Sequence, residues 1–144
     1  MDNQSKFCIE LKALVNSICR KMAQQPFTKG RDSFTSIQIW IIHYLYDNQD
    51  RDVFQRDLET DFNVRRSTVS GILQNLEKKG LVQRQSVAQD ARLKKITLTQ
   101  EAKNLYNEML IDIISMEQLM TENVTEEEWI VFYQVLEKIK GNLE

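Results

Sequence analysis

The chain has 144 residues, 42% of them hydrophobic, and a formal net charge of −2. A chain of this length and apolar content can bury a core without disulfides or a structural metal. It contains no apolar stretch of about 18 residues and no signal-peptide pattern, so we expect a cytoplasmic protein without a membrane partner. With one histidine, two cysteines and no phosphate-binding glycine loop or metal-ligand spacing, we expect no enzyme, no catalytic residues, no metal and no cofactor.

Apolar residues at helical spacing predict a first helix from about Ser5 to Gln24. We expect it to end before Pro26, which cannot continue a helix. Cys8 and Cys19 lie on this helix, about 16 Å apart at a rise of 1.5 Å per residue. That separation is too large for a disulfide, so the two thiols favour a reducing compartment.

A second helix is predicted from Thr35 to about Asn48, because Thr35 and Gln38 have the form of a capping box. This segment is apolar on almost every side, which predicts a central position in the fold. A short helical pattern between Phe54 and Phe62 follows, and a fourth helix is closely joined to it.

Charge is segregated along the chain. The segment from Asn63 to Thr99 carries eight basic and two acidic residues, a surplus of +6, so the remainder carries −8. The acidic average therefore conceals a basic patch, and such a patch attracts nucleic acid.

The fourth helix, at the start of this basic segment, has a small and polar outward face. Side chains of this size suit a helix that enters a DNA major groove about 12 Å wide. Arg65 and Arg66 stand near the helix N-terminus, where phosphates bind. Gly71 costs about 1 kcal/mol relative to alanine, which close approach to DNA or packing against another helix would explain. The candidate DNA contacts on this helix are Arg65, Arg66, Ser67, Thr68, Ser70, Gly71 and Gln74.

A two-stranded hairpin is predicted next, from Leu81 to Val87 and from Lys94 to Thr99, around the polar turn AQDAR. We expect the Asp90 carboxylate to brace the Arg92 guanidinium at its tip, where an arginine suits a narrow minor groove. The alternative is an ordinary surface ion pair. Lys94 and Lys95 would add attraction to phosphates.

Two further helices complete the chain. Thr99 is predicted to cap a helix through about Met120, and the capping-box form of Thr125 and Glu128 opens the last helix. The fold class is therefore mainly α, with six helices and a β-hairpin between the fourth and fifth. This order is typical of a winged helix-turn-helix.

The basic segment resembles the multiple antibiotic resistance regulator (MarR) family. The resemblance rests on the runs RRSTVSGILQNLEKKGLVQR and DARLKKITLT. It implies a homodimeric transcription regulator, usually a repressor, that binds double-stranded DNA at a pseudo-palindromic operator. Residues 1–34 would form an N-terminal dimerisation helix and loop, residues 35–100 the DNA-binding domain, and residues 101–144 the C-terminal dimerisation helices. Arg84 stands at the family's arginine position after LEKKG.

The resemblance also implies release from DNA by a small aromatic or lipophilic effector. Trp40, His43 and Tyr44 on the second helix could line its site, although an aromatic cluster at helical spacing is more often core. A branch of the family senses peroxides with a cysteine near the position of Cys8. The partner tyrosines of that branch are absent here, and we favour a buried, unreactive thiol. A third alternative is a winged-helix protein-interaction module that does not bind DNA.

Overall fold

The computed structural model describes residues 3–25 and 34–144. In chain order, the elements are α1 (Asn3–Ala23), α2 (Ser36–Asp47), α3 (Gln55–Asp61), α4 (Arg66–Lys78), β1 (Val82–Val87), β2 (Asp90–Leu98), α5 (Gln100–Thr121) and α6 (Glu126–Asn142). They form two compact units, one up to Asp112 and one from Ile113 to Glu144. The predicted fold class is confirmed, whereas the loop expected after the first helix lies outside the described residues. No helix in the described ranges is long and apolar enough to cross a membrane.

Helix α2 is the centre of the first unit, as its apolar composition predicts. Ile41 and Ile42 are 1% and 0% exposed, and Leu58 of α3 and Leu73 of α4 are also fully buried. Complete burial of each such side chain contributes about 1.5–3 kcal/mol. The helix begins where Gln38 accepts a hydrogen bond from the backbone N–H of Thr35, at 3.0 Å.

Helices α3 and α4 are joined by a tight turn at Asn63. This residue has a φ of 49°, in the left-handed region that asparagine tolerates better than most side chains. Helix α3 begins after Phe54, whose backbone N–H donates to the Asp57 carboxylate at 2.8 Å. The Asp57 carboxylate therefore satisfies the N–H of the N-cap residue, whereas the Phe54 side chain has no oxygen with which to accept from the N–H groups of the first turn.

A glycine cap ends α4, as helix C-termini commonly require. Gly80 has a φ of 71°, and its N–H donates to the Glu77 carbonyl while the N–H of Leu81 donates to the Leu76 carbonyl. The Thr99 hydroxyl then donates to the Gly80 carbonyl at 2.7 Å. This contact fixes the start of the hairpin against its end.

The hairpin is antiparallel, and its second strand begins earlier than predicted. Val82 pairs with Leu98 and Ser86 with Lys94, but Val87 pairs with Asp90, so the register shifts between Ser86 and Val87. The turn is therefore shorter than AQDAR, and the residues from 91 to 93 form a bulge in β2. Outside the hairpin, the backbone N–H of Ile96 donates to the Val53 carbonyl at 2.8 Å, which joins the segment before α3 to β2.

The second unit contains the end of α5 and all of α6. The capping box predicted for α6 is present, with Glu128 N–H donating to the Thr125 hydroxyl at 3.2 Å and Thr125 N–H donating to the Glu128 carboxylate at 2.9 Å. None of the residues of α6 is buried in the single chain.

Candidate nucleic-acid interface

The outward face of α4 is small and polar, as the sequence predicts. Its exposed side chains include Ser67, Thr68 and Gln74, while Val69, Leu73 and Leu76 are buried beneath them. Arg65 is the N-cap of α4 and Arg66 its first residue, and both are exposed. The structure thus places two cations at the end of α4 whose unpaired N–H groups attract anions.

Gly71 lies on the same face, and the space beside it is open. A methyl group at Gly71 would meet no side chain and no other element of the described chain within 4 Å. Packing against a second helix, the alternative considered for this glycine, therefore has no partner within the described residues. The open space remains available to an approaching ligand.

Ser70 differs from its neighbours because its hydroxyl contacts α3. Gln55 donates from Nε2 to the Ser70 hydroxyl oxygen at 2.8 Å and to the Glu59 carboxylate at 3.1 Å. The Ser70 side chain is half-buried. Its hydroxyl oxygen is engaged within the helix pair, and its hydroxyl hydrogen is the part that can still donate to DNA.

A positively charged groove lies between α3, α4 and β2, with a volume of about 490 Å³. It brings together five of the predicted residues, Arg66, Ser70, Arg84, Arg92 and Lys94, with Phe54, Gln55, Arg56, Glu59 and Leu93. Five of these side chains are basic and one is acidic. The other predicted contacts on α4 lie outside this groove.

Sequence reasoning missed Arg56 and Gln55, which face the groove from α3. The Arg56 guanidinium carbon lies 5.6 Å from the centre of the Phe54 ring, a cation–π arrangement that limits its freedom. Both residues lie before the basic segment, so the local charge surplus did not include them. Only the folding of α3 against α4 reveals their position.

Arg84 is bound to α4 by an ion pair. Its guanidinium donates to the Glu77 carboxylate at 2.7 Å, and both side chains are half-buried. This hydrogen bond lowers the pKa of Glu77 and raises the pKa of Arg84. Arg84 therefore ties the hairpin to the helix, a contact that its sequence position after LEKKG did not indicate.

At the hairpin tip, Asp90 braces the backbone of Arg92. Its carboxylate accepts a hydrogen bond from the Arg92 backbone N–H at 2.9 Å. The prediction that Asp90 contacts the Arg92 guanidinium is therefore wrong. A carboxylate two residues before a backbone N–H is better placed for an Asx turn than for a side-chain ion pair. Asp90, Arg92 and Lys94 are all exposed, and the bulge shapes the tip.

The aromatic residues proposed for an effector site do not share one environment. His43 lies 2.7 Å from the Tyr106 hydroxyl through Nδ1, and its ring is in edge contact with Trp40 at 6.1 Å between centres. Tyr44 instead donates to Asp61 of α3 and accepts from Arg51 at 2.7 Å. Burial, followed by the hydrogen bond to Asp61, raises the pKa of Tyr44.

The two cysteines are unpaired, as expected for their separation. Cys8 is exposed in the single chain and Cys19 is half-buried. The expectation of a buried thiol at Cys8 is therefore wrong for the isolated chain, because α1 leaves most of its side chains uncovered.

Helices α3 and α4 are tightly joined, and a basic groove and the β-hairpin lie beside α4. These features define a winged helix-turn-helix protein of the DNA-binding class. Residues 33–93 match the sequence profile of the MarR family. The chain is 30% identical to the HTH-type transcriptional repressor YetL of Bacillus subtilis (strain 168), over 89% of this chain and 77% of that protein.

Solved structures agree with this assignment. The MepR–DNA complex of S. aureus superposes with a TM-score of 0.80 at 27% identity, covering 94% of this chain and 97% of that one. The transcription regulator MarR from Oenococcus oeni PSU-1 gives 0.75 at 27% identity, covering 97% and 99%. The chain belongs to the MarR family of transcription regulators.

Proposed function

We propose that the protein is a homodimeric repressor that binds a pseudo-palindromic operator and is released by a small lipophilic or aromatic effector. The observation that carries the DNA-binding part is the open polar face of α4 beside the basic groove. Small side chains let a helix enter the major groove, and the surrounding cations attract phosphates without reading sequence. Similarity to YetL, a transcriptional repressor, and to MepR in complex with DNA supports this proposal.

Each part of the interface has a separate role in this proposal. Ser67, Thr68 and Gln74 would contact base edges, with Gly71 allowing close approach of the backbone. Arg65, Arg66 and Lys94 would contact phosphates, and Arg92 would enter the minor groove at the wing. The interfaces of two chains related by two-fold symmetry would contact half-sites whose centres lie about 10 bp apart.

The test is a salt titration of binding to a palindromic fragment from upstream of the protein's own gene. Affinity should fall steeply with salt because bound phosphates release counterions.

Arg92→Ala should weaken binding by about 1–3 kcal/mol, while Arg92→Lys should retain the charge and part of the affinity. Unchanged affinity in Arg92→Ala would remove the wing from the interface. A wild-type protein that binds no such fragment would favour the protein-interaction alternative.

The dimer part of the proposal rests on where apolar surface is exposed. Within the described ranges, the exposed large hydrophobic side chains all lie before residue 16 or after residue 110. Large exposed apolar side chains are a common mark of a protein interface. A second copy of the chain is the partner that the family resemblance implies.

The effector part rests on Trp40, His43 and Tyr44, which are half-buried on α2. Aromatic side chains that are neither exposed nor fully enclosed can contact an aromatic ligand by stacking. A thermal-shift screen of aromatic compounds should find ligands that stabilise the protein and release it from DNA. Trp40→Ala or His43→Ala should reduce that stabilisation, and an undiminished shift in both would exclude this cluster.

Peroxide sensing by Cys8 is the second candidate mechanism, favoured by the exposure of its side chain. A thiol must be accessible to be oxidised. Release of DNA by peroxide should then be lost in Cys8→Ser and retained in Cys19→Ser. Equal release from the wild type and from Cys8→Ser would exclude Cys8 as the sensor.

A further inference from the structure

Gln38 is a buried polar side chain that connects the start of α2 to α4. It is 6% exposed, and both ends of its amide are used. The oxygen accepts from the Thr35 backbone N–H at 3.0 Å, and the Nε2 group donates to the Asn75 side-chain oxygen at 2.8 Å. The contact joins residues that are 37 positions apart in the sequence.

The backbone N–H of Thr35 determines which groups donate and which accept in the two hydrogen bonds from Thr35 to Gln38 and from Gln38 to Asn75. A backbone N–H can only donate, so the end of the Gln38 amide that faces Thr35 must be the oxygen. The NH₂ group then faces Asn75, and Asn75 must meet it with its own oxygen. The usual ambiguity between the two ends of an asparagine amide is therefore resolved here by a group that cannot reverse.

The NH₂ group of Asn75 consequently points away from Gln38. Asn75 is exposed on α4 and lies about 40° around the helix axis from Gly71, at 100° per residue. Within the described part of the chain, its Nδ2 atom donates no hydrogen bond to the protein. The amide thus presents a donor at the edge of the open face.

We propose that Gln38 is a positioning residue that makes Asn75 a hydrogen-bond donor to DNA. The acceptor would be a phosphate oxygen or an acceptor atom on a base edge, which share the same chemistry. This inference rests on the proposed function, and it adds a contact outside the set expected from the sequence. Gln38 itself does not touch DNA and acts through Asn75.

Gln38→Glu is the decisive variant, because a carboxylate can accept from Thr35 but cannot donate to Asn75. Asn75 must then turn its NH₂ group inward, which leaves its oxygen facing outward. The buried charge lies at the N-terminus of α2 and accepts a backbone N–H, both of which favour a carboxylate. Operator affinity should fall about tenfold, since the hydrogen bond from Asn75 to DNA is lost. The Asn75 oxygen and the DNA acceptor, both of which can only accept, would then face each other.

Ser36→Glu is the matched control for charge. It adds a carboxylate to the same end of α2 without replacing Gln38 or Asn75, and it should leave operator affinity near the wild-type value. Asn75→Asp is the second variant, since it keeps the bond from Gln38 and places an oxygen outward. It should also weaken binding, and it tests the inference if Gln38→Glu does not fold. Loss of affinity for an unrelated fragment as well would indicate a phosphate acceptor, whereas loss for the operator alone would indicate a base.

Nuclear magnetic resonance gives a readout that does not depend on DNA. The Asn75 NH₂ protons should exchange rapidly with solvent in the wild type and become protected in Gln38→Glu. Unchanged exchange of the Asn75 protons, wild-type operator affinity in Gln38→Glu, or an equal loss of affinity in Ser36→Glu would each overturn the inference.

If the wild type binds no DNA, the proposed function fails and the DNA role of Asn75 fails with it, while proton exchange still reports which end of the Asn75 amide faces outward. If the wild type binds and the variants bind equally well, the inference alone fails.

Discussion

Gly71 lies in the interior of α4, and no contact in the described part of the chain explains its cost. A glycine in a helix interior is less favourable than alanine by about 1 kcal/mol, and a methyl group there would contact no side chain or other element within 4 Å in the described chain. Stability therefore gives no reason to keep it. Contact between the α4 backbone and DNA does give a reason, because a side chain would hold the helix away from the groove.

Gly71→Ala should accordingly stabilise the protein and weaken operator binding. We expect the free energy of unfolding to rise by about 0.5–1 kcal/mol, through lower backbone entropy in the unfolded chain, and the operator affinity to fall. Thermal unfolding and fluorescence anisotropy measure the two effects on one preparation.

Gly141→Ala is the matched control, because a methyl group at Gly141 of α6 also contacts no side chain or other element within 4 Å in the described chain. It should give a similar stabilisation with unchanged operator affinity. If Gly71→Ala binds the operator as tightly as the wild type, close approach at this position is wrong.

At the scale of elements, the Glu77–Arg84 ion pair joins the hairpin to α4. The hydrogen bond from Arg84 lowers the pKa of Glu77 in the folded state below its value in the unfolded chain. The resulting stabilisation is complete above the ordinary pKa of glutamate and is lost as the pH falls through the lowered pKa. Because both side chains are partly exposed, it amounts to about 0–1 kcal/mol.

Glu77→Gln should remove this acid-dependent part of the stability. The variant should melt below the wild type at neutral pH, and the two melting curves should converge at a pH below the lowered pKa of Glu77. Asp50→Asn, at an exposed turn carboxylate, is the control for the loss of one negative charge, and it should melt near the wild type at neutral pH. A constant difference between wild type and Glu77→Gln at every pH would contradict the role of this ion pair.

Elements with local signals were predictable, and contacts between elements were not. The capping residues Thr35 and Thr125 and the glycine after α4 each act within about one helical turn, so the sequence contains the whole signal. The early start of β2 depends on a bulge, which requires pairing with the opposite strand. The partners of Gln55 and Gln38 lie 15 and 37 positions away, where periodicity gives no information.

For the whole molecule, the distribution of apolar surface contrasts with the distribution of charge. The exposed fractions of Val131, Phe132 and Tyr133 are 57%, 47% and 57%, and those of Leu14 and Ile111 are 53% and 74%. Residues 16–110 carry the basic groove and none of the exposed large hydrophobic residues within the described ranges. A dimer formed through the terminal helices would bury these apolar side chains and leave the basic groove free for DNA.

Phe132→Glu should therefore weaken both the dimer and the binding of a full operator. A charged side chain in an apolar interface is left without its water shell, which disfavours association. Sedimentation should show a shift towards monomer, and the melting temperature should lose the rise with protein concentration that we expect of the wild type. Affinity for a palindrome should approach that for one half-site, since the two copies of α4 no longer bind as a linked pair. Gln49→Glu, which adds the same charge at an exposed turn, should leave both properties unchanged. A wild type that is monomeric at every concentration and binds the palindrome no more tightly than a half-site would contradict the dimer, because a second copy of α4 would then contribute nothing.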